Sequence, residues 1–430
     1  MPETLDDAGD AISFIDASPS PYHAAAEVAR RLEAAGFDEV SEPDAWPAAP
    51  GGRFLRRGGS VVAWVSRTRE GPRAFRVLGA HTDSPNLRVK PQPDRSSAGW
   101  RQLGVEIYGG ALLNSWLDRD LGLSGRVGVL GADDPELRLF RDDRPILRVP
   151  QLAIHLDREI NQAGLKLNPQ IHLTPTWGLG ATDPGGFTRY LAAQVDAEPA
   201  AIVSWDVMAH DVTPGALAGV DRELISSPRL DDLLSCWAAT CALVSAAADP
   251  AGFEHITPVM ALFDHEEIGS SSSSGAAGDV LATTLERLVT AAGGDRGDLA
   301  RALAETRLVS TDGAHATHPN YPERHDPDHL VALNAGPVLK HNANVRYATD
   351  AETAAWFEGA CRAVDVPVQH FVSRDDMPCG STIGPIAATR LGVRTVDVGA
   401  AQLAMHSARE LCGAHDPRLL RLALTSCLER

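Results

Sequence analysis

The sequence predicts an α/β sandwich with a largely parallel sheet, interrupted by a mostly-β block. Three observations carry that expectation. Past residue 226, apolar strand-like runs alternate with helical patterns, the texture of a sheet covered by helices. Between about residues 89 and 225 the texture changes to short strand-like pieces with turn signals between them. Candidate ligands lie on both sides of that block, as they would if it were inserted into a catalytic domain. Residues 1–88 and 226–430 then form one catalytic domain in two segments, and 89–225 the insert.

In chain order, Ser20 and Pro21 open a helix whose pattern through Ala26, Val28, Leu32 and Ala35 stops at Gly36. Residues 61–65 and 75–78 read as strands around the turn Glu70-Gly71-Pro72. The second strand runs into Gly79-Ala80-His81-Thr82-Asp83-Ser84-Pro85. Inside the block, strand-like pieces cover 105–110, 125–130, 137–140, 145–149, 201–206 and 215–220. The stretch 151–156 sets His155 among apolar residues, where a core histidine is the default. After Asp231 and Asp232, the residues Leu233, Leu234, Trp237, Ala238, Cys241, Ala242 and Val244 keep near-helical spacing. A buried strand over 256–263 leads to Asp264-His265-Glu266-Glu267, a Ser/Gly turn and a helical run over 280–292. Strand 308–310 precedes Asp312, helix 351–364 precedes strand 366–372, and strand 394–399 precedes His406.

Composition narrows the function classes. A chain of 430 residues has room for two domains and a sizeable core. A hydrophobic share of 44% beside a charged share of 22% is that of a soluble globular enzyme. The formal charge of -18 offers no basic face for phosphate, which argues against a nucleic-acid partner. No apolar run approaches the roughly 20 residues of a bilayer crossing, so no membrane partner is expected. Residues 1–7 are acidic and hold no apolar signal core. Six scattered cysteines without a C-x-x-C pair suit free thiols in a reducing cytoplasm rather than a disulfide frame or thiolate zinc site. The chain has only three lysines, Lys90, Lys166 and Lys340, against a background of arginine. A lysine that persists there stands by chance or where a compact point charge is needed.

Adjacent carboxylates at a buried strand's end, Glu266 and Glu267, repel each other and lose hydration. A cation is the usual compensation, with one carboxylate bound and the other left as a base. On the dipeptide alone, loop carboxylates turned to solvent are the commoner reading. His81 with Asp83 two residues on fits a metal ligand and its orienting carboxylate, and equally a hydrogen-bonded structural histidine. Position joins these signals. Sites in open α/β sheets lie beyond the carboxyl ends of the strands. His81, Glu266, Glu267 and Asp312 fall there, with His406 in the loop after another strand and Asp231 at a helix start. A mixed nitrogen and oxygen set favours zinc, cobalt or manganese over calcium or magnesium. So many carboxylates exceed one four-coordinate ion and suit two, about 3.5–4 Å apart.

The stretches around His81, Ser227-Pro228-Arg229-Leu230-Asp231, Asp264 to Ser270, Asp312 to Asn320, Cys379 to Pro385 and Leu403 to Glu410 closely resemble the aspartyl aminopeptidase family of dizinc exopeptidases. The resemblance spans nearly the whole chain in the expected order. It implies a three-layer α/β/α zinc-exopeptidase-like domain interrupted by a dimerisation domain, in a homo-oligomer that is a tetrahedral dodecamer. It implies two Zn2+ per subunit, for which Co2+ or Mn2+ can substitute. His81, Asp231, Glu267, Asp312 and His406 match the family's ligands, with Asp231 bridging, and Glu266 matches its catalytic base. Asp232 stands where many relatives have asparagine, which leaves open which of the two aspartates bridges; Asp231 is preferred. Asp83 then fixes the tautomer of His81. In Gly336 to Tyr347, Lys340 and Tyr347 match residues implied to hold an acidic substrate side chain, with a surface lysine as the plain alternative. His155 matches a histidine that reaches a neighbouring subunit's active site. His315 and His318 fit structural or indirect roles because the ligand set is already full.

The expected activity is removal of N-terminal aspartate, and glutamate, from peptides. Three readings compete with it: a dizinc aminopeptidase of neutral or broad specificity, a dizinc amidohydrolase or deacylase, and a non-catalytic assembly or cargo shell. The last normally requires a lost ligand or base, and none is lost.

Overall fold

A computed structural model of the protein describes residues 2–131, 134–248 and 255–430. The chain divides into two compact units. The first comprises Met1–Asp83, Gly215–Met405 and Glu410–Arg430; the second comprises Ser84–Pro214 and His406–Arg409.

The first unit is built on a nine-stranded sheet. At its centre the strands Ile256–Phe263, Ala74–His81, Arg307–Thr311 and Arg394–Gly399 lie side by side and parallel. Antiparallel neighbours flank them, Ser60–Ser66 on one side and Val338–His341 on the other. Every residue of Ala74–His81 is buried, as a strand covered on both faces requires. Alternate side chains serve opposite layers. Leu78, Ala80, Met260 and Leu262 join a core with the helices Pro21–Ala34, Leu230–Ala248 and Asp416–Leu428. Phe75, Val77, Val259, Ala261 and Phe263 join a second core with Val280–Ala291 and Ile383–Leu391. The result is a three-layer α/β/α arrangement. The helix Leu230–Ala248 is long and apolar enough to cross a membrane, but 78% of that window is buried, which is how a core helix reads.

A five-stranded sheet in the same unit pairs Ala216–Ala218, Leu224–Ser227, Glu410–Gly413, Ala401–Leu403 and Ala314–His315 in that order. The stretch 215–220, grouped by its texture with the β block, thus contributes a strand here. The second unit carries a six-stranded sheet, antiparallel in all its pairings among the described residues. One face packs Leu87, Val105, Leu123 and Val207 against Phe187 and Leu191 of the helix Gly186–Gln194. The separate pieces read at 137–140 and 145–149 form one edge strand, Glu136–Leu147, where Pro145 is tolerated.

One local element was not anticipated, and one local expectation needs correction. The acidic N-terminal segment forms a helix, Pro2–Ala17, whose Ala8, Ala11, Phe14 and Ile15 are buried at helical spacing. His155 is not a core residue. It lies exposed in a turn between Ile154 and Leu156, which are exposed as well. An apolar run predicts burial only where the same chain supplies the cover, and this run has none in its own unit.

Candidate metal centre

Because Ile256–Phe263 and Ala74–His81 are parallel neighbours with Phe263 opposite His81, the segments leaving them start at one place. One leaving segment is the tight turn Glu266–Ile268, flanked by His265 and Gly269 in the left-handed region at φ of 67° and 91°. Single ligand atoms of His81, Asp231 and Glu267 lie within 4.8 Å of one another, as do those of Asp231, Asp232 and Asp312. Asp231 is common to both groups.

Each side chain is held by a specific device. Asp83, fully buried, accepts the Glu266 N–H at 3.0 Å on one oxygen and the Glu267 N–H at 3.1 Å on the other. His81 Nδ1 lies 3.0 Å from the Asp83 carbonyl oxygen and 3.4 Å from its carboxylate. That places the ring hydrogen on Nδ1 and leaves Nε2, 3.3 Å from Asp231 Oδ1, as the metal-facing nitrogen. Asp231 and Asp232 have non-helical backbone angles, so the regular helix begins after them and both carboxylates leave its N-terminus. Buried Glu410 accepts the Asp231 N–H at 3.0 Å. Asp232 Oδ2 accepts the His81 N–H at 3.1 Å, while its Oδ1 is buried without a hydrogen-bond partner. A Cβ on Gly399 would stand 1.7 Å from the Asp312 carbonyl oxygen, so only glycine lets that loop approach.

The electrostatics are those of carboxylates crowded out of water. Burial, with Asp312 and Asp231 nearby, drives Asp232 well above its ordinary range. Burial also raises Asp312, against the opposing charge of Lys340. It pushes the Glu266 carboxyl up to about 7, with His81 opposing and Asp312 and Asp231 reinforcing. Burial works against a charged His81, but the Asp231 and Asp83 carboxylates outweigh it and hold the imidazole well above its usual value. One buried imidazole nitrogen, several buried carboxylates and an orphaned aspartate oxygen within these distances fit zinc, and bound cations relieve the same repulsion.

The other predicted residues fall as follows. Lys340 is buried at 2% exposure, so it is no surface lysine. Its Nζ lies 3.7 Å from Asp312 Oδ1 and 5.5 Å from the centre of the buried Tyr347 ring. His406 belongs to the second unit, where its Nδ1 lies 3.1 Å from the Gly110 carbonyl oxygen. His318 Nδ1 accepts the Asn320 N–H, and the His315 ring centre lies 6.0 Å from that of Phe371. Sequence reasoning gave no role to Glu410 or to the buried Asp397. A charged residue at a strand end or inside an apolar strand was the available signal for each.

Known proteins resemble this chain over nearly its whole length. The profile of the aminopeptidase I zinc metalloprotease (M18) family matches residues 14–426. A probable M18 family aminopeptidase 2 of Streptomyces coelicolor is 55% identical over 424 residues, covering 98% of this chain and 97% of that one. The structure of the Ape4 and Nbr1 complex contains a chain of 35% identity and TM-score 0.93, with 99% of this chain and 86% of that chain covered. The dodecamer of mApe1 from Saccharomyces cerevisiae is similar at 28% identity and TM-score 0.84, with 98% and 96% covered.

Proposed function

The chain belongs to the M18 family of aminopeptidase I zinc metalloproteases and is a metallo-aminopeptidase, and from that premise we propose that it removes acidic residues from peptide N-termini. The observation that carries the substrate class is Lys340, a buried ammonium beside Asp312 and Tyr347. A buried cation bordering the ligand set is where the side-chain carboxylate of an N-terminal aspartate gains most from pairing.

We assign His81, Glu267 and Asp312 as residues that would hold zinc, with Asp231 shared between two ions, and keep His406 as a further ligand on the family resemblance alone. The place of Asp231 in both ligand groups supports its bridging role over Asp232. Zinc held there supplies a water of lowered pKa and polarises the scissile carbonyl. Glu266, whose carboxyl is raised toward neutrality by burial, takes the proton of the attacking water on a side-chain oxygen. The same oxygen then delivers it to the amine that leaves. Buried carboxylates of the site hold the substrate's α-ammonium, which makes the activity an exopeptidase's. Asp83 keeps Glu266 and Glu267 in register through their backbone amides.

The segment 84–214 acts in this reading as the dimerisation domain. Exposed Leu152, Ile154 and Leu156 around His155 support a contact with another subunit. The mApe1 likeness supports a dodecamer, and free cysteines support a reducing, cytoplasmic setting.

Broad specificity is the second reading, and one observation favours it: Asp312 already provides Lys340 with a counter-charge at 3.7 Å. Zinc analysis combined with kinetics on aspartyl, glutamyl and leucyl peptides, free and N-acetylated, decides between them. Preference for the acidic pair and loss of turnover on acetylation are the expected results. Equal kcat/KM across the panel overturns acidic specificity, and turnover of the acetylated peptides overturns the aminopeptidase mechanism.

A further inference from the structure

Asp397 lies in the middle of the strand Arg394–Gly399, fully buried, and the mechanism above gives it no task. Its two carboxylate oxygens serve two different segments. Oδ2 accepts the Ala348 N–H at 2.6 Å, directly after Tyr347. Oδ1 accepts the Thr382 hydroxyl at 2.5 Å, and the Thr382 oxygen in turn accepts the Gly384 N–H at 3.2 Å to cap the helix Ile383–Leu391. The Asp397 N–H also donates to Thr349 Oγ1 at 2.9 Å.

The two segments are laced to each other next to Tyr347. Ser381 Oγ donates to the Arg346 carbonyl at 3.1 Å, and Arg346 Nε donates to the Gly380 carbonyl at 3.3 Å. Partly buried Cys379 packs against the apolar cluster that contains Tyr347. A Cβ on Gly384 would stand 2.3 Å from one Asp397 oxygen and 2.4 Å from the other, so a glycine is required for the helix to sit on that carboxylate. The strand of Asp397 pairs with that of Lys340, with Val398 opposite Leu339. Lys340 and Tyr347 therefore take their relative positions from a frame pinned by one side chain.

We propose that Asp397 is the positioning residue of the acidic-side-chain pocket, fixing Tyr347 and the 379–382 loop against Lys340 without touching substrate. This rests on the reading of Lys340 and Tyr347 as the contacts of an acidic substrate. In the structure both segments present donors to the carboxylate. An asparagine offers one acceptor and one donor, so it keeps the Ala348 N–H only if the Thr382 hydroxyl turns round to accept its N–H2 in addition to the Gly384 N–H.

The test compares Asp397→Asn and Thr382→Val with wild type, each loaded with zinc, on aspartyl and leucyl peptides. For Asp397→Asn the expected result is a KM for the aspartyl peptide raised tenfold or more, with kcat within threefold and leucyl kcat/KM within twofold. Thr382→Val, which removes one arm only, should shift the same KM by a smaller factor and carries the test if Asp397→Asn does not fold. Proportional losses on both substrates, or unchanged selectivity, overturn the inference while leaving the acidic pocket standing. A wild-type enzyme that does not distinguish the two peptides overturns the pocket reading, and this inference with it.

Discussion

Asp83 receives the backbone amide of Glu266 at 3.0 Å, so the group proposed as the base is placed by a carboxylate 183 residues away in the chain. The neighbouring oxygen does the same for Glu267 at 3.1 Å, and the Asp83 carbonyl orients His81. A single buried residue thus aligns the proposed base and two proposed ligands.

Replacing Asp83 with asparagine leaves one of those amides facing an N–H2 group instead of an acceptor. Zinc affinity and kcat should each fall by roughly 10–100-fold, the usual range for residues that orient ligands. Competition against a chelator and steady-state kinetics measure the two, and wild-type values in both would remove Asp83 from the mechanism.

Glu266→Gln keeps the shape of the side chain and discards its ability to accept a proton. Zinc content should match wild type while kcat drops by about 10²–10⁴, the typical worth of a general base. Retained turnover would mean that another group takes the proton.

Lys340→Ala removes the buried ammonium but none of the assigned zinc ligands. KM for aspartyl peptides should rise roughly tenfold or more, the order expected for one lost charge-assisted contact, with leucyl peptides little changed. Parallel effects on both would show that Lys340 serves Asp312 rather than the substrate.

Chelated protein should become less stable as pH rises. Asp232 and Asp312 titrate above their unfolded range near 3.9, so folding loses stability as they are forced to ionise on the way up. His81 is raised above about 6.5, so its contribution is full below that value and fades as pH climbs through the folded one. All three act in one direction. Scanning calorimetry between about pH 5 and 8 should show the metal-free Tm falling with pH more steeply than the zinc-loaded Tm. Parallel curves would mean that these groups do not hold the metal.

The centre was legible where chemistry coincided with strand ends. His81, Glu267 and Asp312 each follow an apolar run that the pattern marks as a strand, and parallel packing brings such ends together. What stayed hidden depends on contacts between distant segments. Nothing in the local pattern of Glu410 announces that it reaches the Asp231 amide, and Asp397 reads as an interruption in an apolar strand rather than as a hub. The exposure of His155 was hidden for another reason, since periodicity reports apolarity without saying who provides the cover.

The residues that approach one another in the first unit's ligand groups run from His81 to Asp312 in a chain of 430. During translation, a ribosome must therefore release most of the polypeptide before that pocket can close. Nascent fragments ending before Asp312 lack a member of one ligand group, so they cannot assemble the proposed zinc site.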